Sequence, residues 1–146
     1  MVAHVRTEIR ARVATLLTGL ATTGNSVLTS IPEALDPEEL PALVIYTAAE
    51  TIEDGSFPRP RVQHRLVDLM IEGCAQAVTG VEDTLDQMAL EVEQAIASDN
   101  SLGGLVHVCT LQSTETQVST QGEIPTGSFR MTYSVLYTAR EDNPTA

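Results

Sequence analysis

The sequence has 146 residues, twenty acidic against eight basic, and a formal net charge of −12. A chain of that length makes one domain over 1–146 and buries roughly 70% of the surface its unfolded form exposes. The charge speaks against gripping nucleic acid by phosphate neutralisation or docking on anionic membranes, and no apolar run reaches the roughly 18 residues of a membrane span.

Residues 3–20 have helical spacing, with Val5, Ile9, Val13, Leu16, Leu17 and Leu20 on one stripe and Arg6, Glu8, Arg10 and Arg12 opposite. Those charges also break up the segment as a signal peptide. The expectation is a cytosolic chain in which Cys74 and Cys109 are reduced and serve as small buried apolar residues. Residues 21–41 are connection. Inside it, "DPEELP" offers Asp36 as a cap, Pro37 for the first helical position and Glu39 for a capping box, which predicts one helical turn ended by Pro41. "ALVIYTAAE", 42–50, is rich in β-formers and predicts a buried strand; 51–60 is a loop with Gly55, Pro58 and Pro60.

Residues 61–74 alternate, with Val67, Leu69 and Ile71 to one side and His64, Asp68 and Glu72, among Leu66 and Met70, to the other. Residues 79–99 form a second helix with Val81, Leu85, Met88, Val92 and Ile96 as its stripe, and Glu82 and Asp83 at its positive end. A third strand is expected over 105–118, a polar loop over 119–127, and a fourth strand over 128–140 with Phe129, Met131, Tyr133, Val135 and Tyr137 inward. Residues 141–146 are expected to be a disordered tail. The order α-β-β-α-β-β predicts an α+β fold: a single four-stranded mixed sheet with two helices packed on one face. The predicted core is Ile9, Val13, Leu17, Leu43, Ile45, Val67, Leu69, Ile71, Leu85, Val92, Met131, Tyr133 and Val135.

Catalytic patterns are missing. His4, His64 and His107 are isolated, and no Cys-x-x-Cys is present. His64, Asp68 and Glu72 share a strand face but span roughly 13 Å, too far for one ion. There is no G-x-S-x-G elbow, and Thr22–Asn25 lack the Gly-Lys-Ser/Thr of a phosphate loop. The sequence therefore predicts no enzyme, no cofactor and no metal. What stands out instead is "FPRPRVQHR", 57–65, with Arg59, Arg61 and Arg65 close together in an anionic chain. It belongs to one of two polar arms, 51–61 and 119–128, each longer than a hairpin needs.

Three segments carry a family resemblance. They are "DPEELPALVIYT", the acidic helix and Leu-Gly-Gly-Leu step of "GVEDTLDQMALEVEQAIASDNSLGGLV", and the Tyr-rich strand "GSFRMTYSVLYTA". In that order, over about residues 3–140, they resemble the tail terminator proteins of long-tailed phages, similar to the minor tail protein U of lambda-like phages. The resemblance implies an α/β domain in a homohexameric ring on the head-proximal end of the tail tube. It further implies three partners: other copies of the chain, the tail tube protein and the head–tail connector (stopper). It also implies that DNA passes through the ring without specific binding, and that the protein resides in the virion after assembly in the host cytoplasm. The contact candidates are Arg59, Arg61, Arg65, Glu53, Asp54 and Phe57 on the first arm, and Glu123 and Ile124 on the second. The arginines are expected to face another protein's carboxylates, which their planar fork suits. Another neck ring component, or a small hydrolase or ligand-binding domain with a pocket under the arms, are the alternative readings.

Overall fold

The computed structural model describes residues 3–29, 37–55, 60–120 and 124–145. Helix α1, Val5–Leu17, buries Val5, Ile9, Val13 and Leu17, one residue every fourth position and hence a single stripe. The His4 Nδ1 accepts from the Arg6 N–H at 3.1 Å and so satisfies one of the orphan donors of the first turn. Gly19, at φ 91°, turns the chain out beyond the helix.

The chain continues through β1, Val27–Leu28, a 3-10 turn at Pro37–Glu39, and β2, Ala42–Asp54. It returns along β3, Val62–Gln76, and crosses the sheet as α2, Val81–Ser98. A second hairpin, β4 at Val108–Ser119 and β5 at Thr126–Arg140, completes the order. The α2 stripe is the predicted one: Val81, Leu85, Met88, Val92 and Ile96 are buried. After α2 the chain passes through Leu102, Gly103 and Gly104, all at positive φ. Leu102 holds that position with its side chain in the core and its carbonyl accepting from Arg12 Nη1 at 3.1 Å.

The sheet has five strands rather than four, in the order β1-β2-β3-β5-β4. The added strand is β1, whose two residues pair in parallel with Leu43 and Val44 and make the sheet mixed. Two residues inside a connection show no period, so nothing in the sequence pattern marks them as a strand. The other pairings are antiparallel, and β3 and β5 run side by side from Val62↔Arg140 to Gln76↔Thr126. Gly73 sits opposite Phe129, and a Cβ there would lie 2.1 Å from the phenyl ring, so the glycine makes the space the ring fills.

Both helices lie on the face of Val67, Leu69 and Ile71, and every residue of the predicted core is buried there. The opposite face carries no helix among the described residues; Leu66 is exposed on it, and Asp68, Met70, Glu72 and Cys74 are half-buried. The segment expected to be a disordered tail is tied down over residues 141–145. The Val5 N–H donates to the Pro144 carbonyl at 3.0 Å, Thr145 bridges His4, and Glu141 pairs with Arg61.

Candidate interaction surfaces

The start of the first arm, residues 51–54, is strand. β2 runs on to Asp54 and β3 starts at Val62, and the Gly55 N–H closes the hairpin on the Val62 carbonyl at 2.8 Å. The region expected as a loop over 51–60 is therefore reduced, because Thr51 to Asp54 find partners from Leu66 to Gln63 across the ladder. Glu53 is exposed at its tip side, opposite His64. Phe57 and Arg59 lie outside the described residues.

The two described arginines of the cluster meet this chain's own carboxylates. Arg61 Nη1 donates to Asp54 Oδ2 at 2.7 Å, and its N–H donates to Glu141 Oε1 at 3.0 Å. Arg65, expected in an exposed cluster, is 7% exposed and faces the core. Parity explains the difference. Residue 65 shares its side of the strand with Val67, Leu69 and Ile71, and a strand with period two has no choice but to point it inward.

Its charge is met by Glu50, 4.0 Å from Arg65 Nη1, while Arg65 Nη2 donates to Gln63 Oε1 at 2.8 Å. The Glu50 carboxylate also accepts from Arg6 and from the Tyr137 hydroxyl. A register shift between Thr47 and Glu50 turns Glu50 onto this face. Burial, and then the Glu50 hydrogen bond, push the Tyr137 hydroxyl up to about 12. Glu50, Arg65 and Tyr137, with the partly exposed Arg6, form one polar cluster under the start of α1. Sequence reading missed Glu50 and Tyr137 as its members. The signal available was Arg65 at an inward position, which requires a nearby acid.

The second arm, joining β4 to β5, lies at the other end of the sheet, beside Gln76, whereas the first lies beside Val62. Along fifteen residues of β3 the two arms are about 45 Å apart. Ile124 is 41% exposed on the second arm, near Val78, which is 78% exposed; Glu123 lies outside the described residues. Here too is a groove of about 630 Å³, with Leu40, Cys74, Ala75, Val118, Ser119 and Ser128 in its walls. Burial, then Glu72, raises the Cys74 thiol above its ordinary range, so it is held as the thiol and not the nucleophilic thiolate. Among the described residues, no His, Asp or Glu lines this groove to serve as a base. Among the described residues, no three His, Cys, Asp or Glu side chains are grouped to hold a metal ion, and no helix is long and apolar enough to cross a membrane.

The outer face of α2 is acidic, with Glu82, Asp83, Asp86 and Glu93 exposed around Leu90 and no basic residue in the helix. Taken together, the described residues offer two arms at opposite ends and a sheet face that carries no helix. The family model described as phage minor tail protein U matches residues 4–137. The chain belongs to that family. It is accordingly a structural protein of the phage tail and of the virion. No match was found among curated proteins. Among solved structures, a chain from the virion of a native gene transfer agent particle is similar at 12% identity and a TM-score of 0.36, with 91% of this chain and 92% of that chain covered.

Proposed function

We propose that the protein is a tail terminator. Six copies form a ring on the head-proximal end of the tail tube, after assembly in the host cytoplasm. The ring ends tube polymerisation and offers a docking surface to the head–tail connector, while DNA passes through without being gripped. The protein turns over no substrate and binds no cofactor. The observation that carries this reading is the family match over residues 4–137. Two features support it. Arms some 45 Å apart suit a body held between one partner below and another above. A net charge of −12 suits a channel that must not bind phosphates.

The test is a capping assay. Purified tube protein is polymerised with and without the chain, and tube length is read by electron microscopy. Tubes that stop growing and carry a six-fold ring at one end support the proposal. Uncapped growth, with binding to the connector alone, assigns the chain to another ring of the neck. The hydrolase reading is disfavoured by the groove between Cys74 and Ser119, whose described lining has no His, Asp or Glu to act as a general base.

A further inference from the structure

Among the described residues, the sheet is open along β4 and along most of β2. Among the described residues, β4 has β5 as its one strand neighbour, and β2 beyond Val44 has β3 alone. From Gln112 to Ser119, β4 is exposed on both faces, past the cover of the helices. An edge strand presents a row of N–H and C=O groups spaced for another strand. Chains that must stay apart blunt such edges with Lys, Pro or shortness. The stretch "QSTETQVS" has no Lys, no Pro and a single charge, Glu115. Its one irregularity, between Leu111 and Ser113, comes at the start and leaves the rest straight.

We propose that this free half of β4 pairs with the open edge of β2, residues 46–53, in a second copy of the chain. The proposal rests on the ring reading and names the contact that builds the ring. Strands β2, β3, β5 and β4 alternate in direction, so β2 of a copy carried round the ring without being turned end for end meets β4 antiparallel and continues the order. The two edges differ, so the contact is heterologous and repeats in one sense until it closes. A strand from some other tail protein would leave the β2 edge open, whereas a self-contact covers both edges at once.

The offset between the edges fits closure. Thr116 is level, through Phe129 and Gly73, with Leu43, not with the exposed Ala49. Matching Thr116 to Ala49 slides one copy along the next by about six residues, roughly 20 Å. Four strand spacings per copy come to about 19 Å. A slide of that size across that width inclines the strands by about 45° to the ring axis, at the top of the range of roughly 35–45° at which sheets close on themselves.

The test is a cross-link between copies. In a Cys74→Ala, Cys109→Ala background, Thr114→Cys or Thr116→Cys is combined with Ala48→Cys or Ala49→Cys, and assembled rings or tails are oxidised with diamide. The expected result is a ladder of disulfide-linked multimers on a non-reducing gel that stops at ring size. Rings visible by electron microscopy with no ladder in any combination overturn this contact and leave the ring reading standing. Dimers formed by a β4 cysteine without a β2 cysteine also overturn it, by pairing β4 with itself. A chain that assembles neither free nor on tails overturns both. As a second measure, Thr114→Lys with Thr116→Lys, both at exposed positions, keeps the circular dichroism of the fold and loses ring formation. Undiminished ring yield from that variant overturns the pairing.

Discussion

Arg65 is a cation in a core layer, and its worth depends on what remains when it is removed. Deleting one member of a buried ion pair leaves the other uncompensated, which costs about 3–5 kcal/mol. Arg65→Glu sets a second carboxylate beside Glu50 and is expected to lower stability by about that amount in urea unfolding. Arg61→Gln, at the more exposed Asp54 pair, is expected to cost no more than about 1 kcal/mol. Equal midpoints for the two variants would place Arg65 at the surface after all. His4 gives a residue-scale pH effect. Burial first, and then neighbouring Arg6, hold its imidazole below the ordinary 6.5. The folded form thus prefers the neutral ring, whose Nδ1 accepts from the Arg6 N–H. With a folded value below the unfolded one, the stability it contributes is present above 6.5 and is lost as pH falls through the folded value. The melting temperature is expected to drop between about pH 7.5 and pH 5.5, and to drop less in His4→Asn, whose amide oxygen keeps accepting after acidification.

Among the elements, α2 is fastened to the loop behind α1 by Glu91, which accepts from the Thr22 N–H at 2.9 Å and from its hydroxyl at 2.6 Å. Burial alone would raise the Glu91 carboxyl, but the bonds from Thr22 and Gln87 outweigh it and hold it below 4.5. Its contribution is therefore present above 4.5 and is lost as pH falls through the lower folded value. Glu91→Ala is expected to cost about 1.5–3 kcal/mol at neutral pH, with the penalty shrinking under acid as wild type loses the same bonds. Denaturant midpoints of both proteins at two pH values check this. Both helices and all four long strands were legible: the helices, β3 and β5 carry a period of 3.6 or 2 over many residues, and β2, though interrupted by a register shift, opens on a run of β-formers. β1 was not, since two residues carry no period. The reach of β2 into 51–54 was hidden by Glu53 and Asp54, which read as loop but sit on a ladder built by β3. At the candidate surfaces, Arg65 shows the limit of reading charge before parity. A run of arginines resembles an exposed patch until the strand assigns one of them to the interior.

For the whole molecule, the separation of the arms sets the expectation. If they meet different partners, Glu53→Arg on one and Ile124→Glu on the other impair different joints. One variant is expected to give overlong tubes, and the other tubes of normal length that fail to join heads. Complementation of a phage lacking the wild-type gene, scored by electron microscopy, separates them. Both defects from each variant, or neither from both, refute the division of labour.

The β3–β5 ladder runs the full distance between the arms, with its hydrogen bonds across that line. A pull applied from arm to arm thus loads the ladder in shear, so that its bonds share the force and must fail together. A pull across the strands would open them in sequence, one after another. On the proposed terminator reading, a part held between a tube and a packed head takes a share of its load along the strands, and the ladder resists that share in shear. Single-molecule extension between handles at the two arms is expected to need a markedly higher rupture force than extension between handles on β2 and β4, because forced opening is governed by the barrier along the direction pulled. Equal forces in the two geometries would show that the grain of the sheet carries no mechanical advantage.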